Sequence, residues 1–295
     1  MHLLRSLAVL LICSPLLGAT VDPLTTTVEQ WRAKRVAALT SDTGWLTLVA
    51  LLPLPDGSST FGRDPASRLR LDHAALPASA GTFEVSGNSV TFTAAPDAGV
   101  TQNGAAVTRI ELRSDADGQP TLFDLGTLQL FVIDRSGHRF VRIRDRASAR
   151  RQQFKGIEYF PIRSEWSLVA RFEPYLPERE VTITNILGLE ERMRVPGALV
   201  FEKGGRSWRL DAIDEDPKSA ELFLMFADGT TARTTYGAGR YLYVPRPRDG
   251  AVPLDFNRAY SPPCAFNDFA TCPLPPQQNK LTLRITAGEK KPRHW

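Results

Sequence analysis

The feature that most constrains this chain is a succession of short β-type runs, separated by turn residues, that begins at Trp45. Turn pairs such as Gly87-Asn88 and Ser136-Gly137 lie between them. A spacing of roughly 8–12 residues with such turns is typical of sandwiches and barrels, not of alternating βα units. The runs before residue 146 are WLTLVAL (45–51), RLRL (68–71), TFEV (82–85), SVTFTA (89–94), TRIEL (108–112), LQLFVID (128–134) and RFVRIRD (139–145).

The β runs resume after an irregular stretch at 146–165. They are SLVARFEP (167–174), EVTITNIL (180–187), ALVFE (198–202), SWRLDAI (207–213), ELFLMFAD (221–228), RYLYV (240–244), VPLDF (252–256) and LTLRITA (281–287). We therefore predict a mainly β protein made of one or two packed antiparallel β-sandwiches or barrels. The irregular stretch suggests a division into residues 20–150 and 151–295.

One segment has helical periodicity. Residues 25–40 read TTTVEQWRAKRVAALT, in which Val28, Trp31 and Leu39 recur on one face. Gly44 follows as a stop signal. The pattern predicts one N-terminal helix, which we expect to pack on the first sheet.

The first nineteen residues, MHLLRSLAVLLICSPLLGA, are typical of a secretory signal peptide. Arg5 supplies the positive start, residues 7–12 form an apolar core too short to span a bilayer, and Ala19 suits cleavage. Lipid attachment at Cys13 is the alternative, but Ile12 stands where a small residue is expected. We expect an exported protein, periplasmic or extracellular, with no transmembrane segment in the mature chain.

Cleavage after Ala19 would leave two cysteines, Cys264 and Cys272, in the segment CAFNDFATC. In an oxidising compartment such a pair predicts a disulfide. The alternatives are two reduced thiols, or a metal or nucleophilic role. A structural zinc site needs four nitrogen or sulfur ligands, and no CxxC or HxxxH pattern lies nearby.

The scarcity of histidine excludes the common hydrolytic mechanisms. The chain has four histidines, and the three after the leader are scattered at His73, His138 and His294. The patterns GxSxG, HExxH, GxxxxGK and GxGxxG are absent, so serine hydrolase, zinc protease, NTPase and Rossmann functions lack support. We predict no metal and no cofactor. The net charge of +4 is dispersed along the chain, which gives no indication of nucleic-acid binding.

Polar side chains gather between residues 235 and 289, around a loop that contains five prolines between 262 and 276. Because prolines make a loop stiff, this segment could hold a binding or catalytic group in place. The catalytic candidates are Asp255, Glu289 and Arg240, and the ligand-binding candidates are Tyr236, Asn257, Arg258, Tyr260 and Asn279. The alternative is that these residues cap turns and pair with one another to hold the fold together.

Two classes of function follow. The first is an exported soluble protein that binds an unknown small molecule or envelope component, with a polar site near the proline-rich loop. The second is a hydrolase or lyase that uses carboxylate and arginine chemistry on a sugar or small organic acid. The second requires Arg240, Asp255 and Glu289 to share one cavity. Ligand and oligomeric state stay open.

An ordered set of motifs in the second half resembles a bacterial family catalogued as domain of unknown function 1684, over roughly residues 145–290. The motifs are FKGIEYFP (154–161), ARF (170–172), FADGTT (226–231), TYGAGRYL (235–242), LDFNRAYSPPCAF (254–266), CPLPPQQNKL (272–281) and AGEK (287–290). The resemblance implies neither an activity nor a catalytic residue.

The first half is similar, more loosely, to forkhead-associated β-sandwiches. The segment FGRDPASRLRL (61–71), then Ser79 and then QNGAAV (102–107) follow that family's order of Gly-Arg, Ser and Asn-Gly. Where the family has Ser-x-x-His, this chain has Ser79-Ala80-Gly81-Thr82. The resemblance therefore implies a sandwich and does not extend to phosphothreonine binding.

Overall fold

The computed structural model describes residues 22–292. The chain is mainly β, with antiparallel sheets and one N-terminal helix, as the sequence predicts. The proposed signal peptide at 1–19 and His294 lie outside the described residues.

Eleven strands form the first half. They are β1 (Leu48–Pro53), β2 (Gly57–Gly62), β3 (Leu69–Arg70), β4 (Gly81–Ser86), β5 (Ser89–Ala94), β6 (Val100–Gln102), β7 (Ala105–Ala106), β8 (Arg109–Glu111), β9 (Phe123–Leu125), β10 (Leu128–Arg135) and β11 (His138–Asp145). One sheet has the order β1-β11-β10-β9-β6-β7 and the other β3-β2-β4-β5-β8. Among these eleven strands, β2 and β3 are the pair that runs parallel. Short 3-10 helices occur at Trp45–Thr47 and Asp115–Asp117.

The two sheets enclose one apolar core, which makes the first half a sandwich. Phe61, Phe83, Phe92 and Phe123 meet at its centre, with ring centroids of Phe83 and Phe92 4.7 Å apart. The hairpin of β10 and β11 follows the predicted alternation, because Ser136 and Gly137 both have positive φ, as a tight hairpin turn requires.

The second half is one long sheet that curls into a nearly closed barrel. Its strands are β12 (Ser167–Thr184), β13 (Glu190–Lys203), β14 (Arg206–Asp214), β15 (Glu221–Phe226), β16 (Arg240–Pro245) and β17 (Ala251–Asp255), in the order β16-β15-β14-β13-β12-β17. A helical turn, α2 (Ala149–Gln152), precedes it, and 3-10 helices lie at Ser164–Trp166, Phe256–Arg258, Pro263–Ala265 and Gln277–Asn279.

Strand β15 shows why both faces of this sheet are buried. Leu222, Leu224 and Phe226 point to the barrel interior, whereas Phe223 and Met225 belong to a second apolar cluster on the outer face. The proline-rich loop supplies Ala270 and Cys272 to that outer cluster. The loop therefore covers part of the outer face of the sheet.

The helix α1 (Pro23–Thr40) forms as predicted, with the Asp22 side chain capping its first turn. It does not pack on the first sheet. Trp31 contacts the Tyr260 ring at 6.1 Å, and Leu39 shares a buried cluster with Phe266. The apolar stripe is therefore buried against the second half. Among residues 22–292, no helix is long and apolar enough to cross a bilayer.

Candidate functional site

A cavity of about 920 Å³ lies between the outer face of the barrel sheet, the proline-rich loop and the first-half hairpin. Strands β13, β15 and β16 form its floor, and Pro263, Thr271, Cys272 and Pro273 of the loop form one wall. Arg135 at the end of β10 closes it from the sandwich side. The volume falls in the range of ligand-binding pockets.

Aromatic rings line much of the cavity. The Tyr243 and Tyr260 rings are nearly parallel, at 17° and 6.5 Å, and the Tyr241 and Phe223 rings meet edge to face at 4.8 Å. Trp45 adds a fifth ring from the segment that links α1 to β1. These rings offer a flat apolar surface with polar hydroxyl edges, which suits an organic ligand.

The arginines of the lining are mostly engaged by carboxylates. Arg135 binds Asp115 at 2.8 Å, and Arg35 binds Glu289 at 3.0 Å while it stacks over the Tyr260 ring at 4.7 Å. Near β14, Asp214 accepts from Arg246 at 2.6 Å, and Arg194 lies 3.7 Å from the same carboxylate. The cavity is thus polar but largely charge-balanced.

Burial raises the pKa of two hydrogen-bonded groups of the cavity, Tyr243 and Glu215. Desolvation raises the pKa of Tyr243, and Tyr260 opposes its ionisation further. Desolvation also raises the pKa of Glu215, which accepts a hydrogen bond from the Tyr243 hydroxyl at 2.8 Å. The tyrosines therefore serve as neutral hydrogen-bond groups.

Arg240, a predicted catalytic residue, lies inside the barrel and away from this cavity. It is fully buried, forms an ion pair with Asp228 at 3.3 Å and donates to the carbonyls of Ile285 (2.9 Å) and Ala287. Burial lowers the pKa of Arg240, and the charges of Asp228 and Glu289 oppose that effect. These contacts give Arg240 a structural role inside the barrel.

The other two catalytic candidates have separate partners. Glu289 is buried and accepts from Arg35 and from the Ser261 amide at 2.8 Å. Asp255 accepts from the amide and the side chain of Asn257 at 3.0 and 2.8 Å, at the start of a 3-10 helix. None of the three carries a side chain into the cavity, so the arrangement does not supply the shared cavity on which a carboxylate–arginine mechanism depends.

The ligand-binding candidates divide in the same way. The Asn257 side chain accepts from the Arg163 backbone N–H and donates to the Arg163 carbonyl. Arg258 lies 3.6 Å from Asp255, and the Tyr236 hydroxyl donates to the Cys264 carbonyl at 2.8 Å. Asn279 is fully buried; it accepts from the Asp211 amide and donates to the Asp211 and Met225 carbonyls. Only Tyr260 lines the cavity.

Cys264 and Cys272 lie side by side as free thiols, and the Cys264 amide donates to the Cys272 sulfur at 3.2 Å. The disulfide stays a prediction. Within the described part of the chain, no cluster of His, Cys, Asp and Glu side chains could hold a metal ion.

Four further residues line the cavity and were not predicted as site residues from the sequence: Arg35, Trp45, Arg135 and Thr271. They come from the helix, the link to β1, the end of β10 and the loop. The sequence offered one signal for them. Arg135 is a charged residue at the tip of the clearest hairpin, on the strand face that does not point into the sandwich core.

Comparison with known proteins assigns the second half to a family. Residues 152–290 match the family model described as protein of unknown function (DUF1684), and this part of the chain belongs to that family. An uncharacterized protein of Haloarcula marismortui, solved by solution NMR, is 33% identical; the match covers 48% of this chain and 78% of that one, with a TM-score of 0.41.

Two solved forkhead-associated (FHA) domains match the N-terminal portion. The FHA domain of FhaA, solved in a complex, is 18% identical over 32% of this chain and 97% of that one. A domain from a study of phosphothreonine-dependent FHA interactions is 19% identical over 33% and 96%, and both have TM-scores of 0.23. A search of curated proteins found no match.

Proposed function

We propose that this chain, whose residues 152–290 belong to the DUF1684 family, is a binding protein for a small organic molecule held in the cavity under the proline-rich loop. The observation that carries the proposal is the cavity itself, about 920 Å³ lined by five aromatic rings and by polar groups from both halves. Aromatic area combined with oriented polar groups in one concave cavity is what small-molecule sites share.

The way in which the cavity is built supports binding. Arg35 holds Tyr260 between its guanidinium and the rest of the wall, and the Tyr241 hydroxyl donates to the Pro273 carbonyl at 2.6 Å. The rings are therefore held in place before a ligand arrives, which lowers the entropy that binding must overcome. The predicted catalytic carboxylates Asp255 and Glu289 lie outside the cavity, so the carboxylate–arginine mechanism has no site there.

The test uses N-phenyl-1-naphthylamine, an uncharged aromatic probe whose fluorescence rises in apolar sites. We expect saturable binding to the folded protein at one site. Met193 lines the cavity, so Met193→Trp should place an indole ring in the space beside the aromatic wall and weaken probe binding at least tenfold.

The matched control is Leu122→Trp, which adds the same indole to a position on the first half that is 38% exposed and outside the cavity. It should bind the probe as the wild type does. Equal binding by Met193→Trp and the wild type would show that the probe lies elsewhere and would contradict the proposal.

Export is part of the proposed function and is supported by the sequence of residues 1–19. Mass spectrometry of the protein from a cell-envelope fraction should give a chain that begins at residue 20. A chain that retains residue 1 in the cytosolic fraction would refute export.

The proposed bridge between Cys264 and Cys272 is supported by their contact in the loop. Protein purified without reductant should react with a thiol reagent only after reduction and then at two sites. Closing such a short loop should stabilise the fold by about 2.5 kcal/mol in the chain-entropy picture. Two reactive thiols before reduction would rule the bridge out.

A further inference from the structure

Arg142 is a buried guanidinium that lacks the partners expected of one. It lies in the middle of β11, opposite Phe131, and is only 5% exposed. Its neighbours Val141 and Ile143 point into the sandwich core, so Arg142 faces the second half. Among residues 22–292, no carboxylate lies within 4.0 Å of it, and its Nε has no hydrogen-bond partner.

Within the described part of the chain, the one side-chain hydrogen bond of Arg142 leads to the cavity wall. Its Nη2 donates to the Thr271 hydroxyl at 3.3 Å, and its guanidinium lies 5.4 Å from the centre of the Trp45 ring. Thr271 and Trp45 both line the cavity. Arg142 is therefore directly behind the wall and contributes its charge there.

Arg135 converges on the same hydroxyl from the same face of the hairpin. Its Nε donates to Thr271 Oγ1 at 3.2 Å, while its two terminal nitrogens bind Asp115. A threonine hydroxyl has two acceptor positions and one proton. Because two guanidinium groups occupy the acceptor positions, the proton is left to donate, and within the described residues it has no acceptor.

The charges at this wall do not balance. Asp115 neutralises Arg135, whereas Arg142 has no such partner. Burial lowers the pKa of Arg142 to about 10; repulsion from Arg135 adds to this effect, and the more distant Asp115 carboxylate opposes it in part. The group therefore still carries its charge at neutral pH. A buried charge without a counter-ion is unfavourable, and one negative charge at Thr271 would offset it.

We propose that the wall formed by Thr271, Arg135 and Arg142 binds an oxyanion of the ligand, such as a carboxylate or phosphate. Thr271 donates its proton to the oxyanion, Arg135 lies beside it, and Arg142 is a positioning residue that fixes the hydroxyl and supplies the charge from behind. The aromatic rings hold the body of the molecule. This inference rests on the proposed function, and it narrows the ligand to an organic anion.

The experiment compares two probes that share one aromatic body. 8-Anilinonaphthalene-1-sulfonate has an oxyanion, and N-phenyl-1-naphthylamine lacks it. We expect the wild type to bind the sulfonate at least tenfold more tightly. Arg142→Met and Thr271→Val should each remove this preference, because they should weaken binding of the sulfonate at least tenfold more than binding of the uncharged probe. Thr271→Ser should retain the preference, because it keeps the hydroxyl.

Arg109→Met, at an exposed arginine outside the cavity, is the matched control and should keep the preference. Competition by inorganic phosphate or by acetate then distinguishes a phosphate from a carboxylate ligand. Equal affinity of the wild type for both probes, or loss of both probes together in Thr271→Val, would overturn the oxyanion inference. Failure of the uncharged probe to bind would instead refute the proposed function.

Discussion

The inside of the barrel and the wall of the cavity each bury an arginine, and the two sites differ in what surrounds the charge. Arg240 has the Asp228 carboxylate and two backbone carbonyls as partners, and Asp228 is itself held by the Ile285 amide at 2.6 Å. Arg142 has a single threonine hydroxyl. Burial alone does not identify a structural arginine. The Nε of each is without a hydrogen-bond partner, and what separates them is the carboxylate counter-ion that Arg240 has. A buried guanidinium without one marks a place where a ligand can supply the negative charge.

The largest loss of stability is expected when the carboxylate inside the barrel is removed. Asp228→Ala leaves Arg240 charged and without its counter-ion and leaves the Ile285 amide without an acceptor. We expect the free energy of unfolding to fall by about 3–5 kcal/mol, measured by urea denaturation.

The control for this variant is Asp268→Ala, whose carboxylate is exposed and lies 3.5 Å from Arg150. It should leave the free energy of unfolding unchanged, because exposed ion pairs contribute little. A loss in Asp228→Ala no larger than in the control would show that Arg240 is not held as described.

Asn279 is a neutral buried residue whose side-chain oxygen and nitrogen are both hydrogen-bonded. Its side chain bridges β14 and β15, which share few ladder hydrogen bonds of their own. Asn279→Ala should cost about 3 kcal/mol, because it leaves buried backbone groups of both strands unpaired. Gln278→Ala, next to it and exposed, should have no effect. Similar unfolding curves for the two variants would mean that the bridge is dispensable.

A smaller effect should appear in the pH dependence of stability. Burial raises the pKa of Glu289 above the ordinary value of 4.5, although Arg35 and the Ser261 amide oppose this. The native state then holds its proton at a pH where the unfolded state has lost it. The free energy of unfolding should therefore decrease as the pH rises from 4.5 to the raised pKa of Glu289.

Glu289→Gln should flatten this decrease, whereas the exposed control Glu165→Gln should retain it. Urea denaturation at several pH values above 4.5 measures the slope. The same slope in the wild type and in Glu289→Gln would exclude Glu289 as its source.

The smallest expected effect is at Arg142. Arg142→Met removes an uncompensated buried charge and keeps the length of the side chain, so the free energy of unfolding should change by less than about 1 kcal/mol, or increase. Arg240→Met leaves the buried Asp228 carboxylate without its counter-ion and should be far more destabilising. An equal loss of unfolding free energy in the two variants would show that the two arginines do not differ in this way.

The fold could be predicted well from the sequence because it depends on local patterns. In the β10–β11 hairpin, Leu128, Leu130 and Val132 alternate on one face and a Ser-Gly turn sets the register. The stripe of α1 predicted a helix correctly, but a stripe indicates only that one face is buried. It carries no information on which half of the chain buries it, and the prediction that α1 packs on the first sheet was wrong.

The site could not be predicted in the same way. The polar residues near the proline-rich loop were predicted to form the site. Arg240, Asn257 and Asn279 instead hydrogen-bond backbone groups and hold the fold together. The cavity is assembled from Arg35, Arg135 and Thr271, which are far apart in sequence. Only tertiary structure brings such residues together.

The bond between Arg35 and Glu289 joins residues 254 positions apart. A chain is made from its N-terminus, so α1 emerges long before the carboxylate and the Ser261 carbonyl that its arginine binds. The sandwich is built from residues that all precede the barrel, whereas the docking of α1 requires the segments after β17 that carry Ser261 and Glu289. Wherever the chain folds, α1 is therefore among the last elements to reach its final position, and its apolar stripe stays exposed until then.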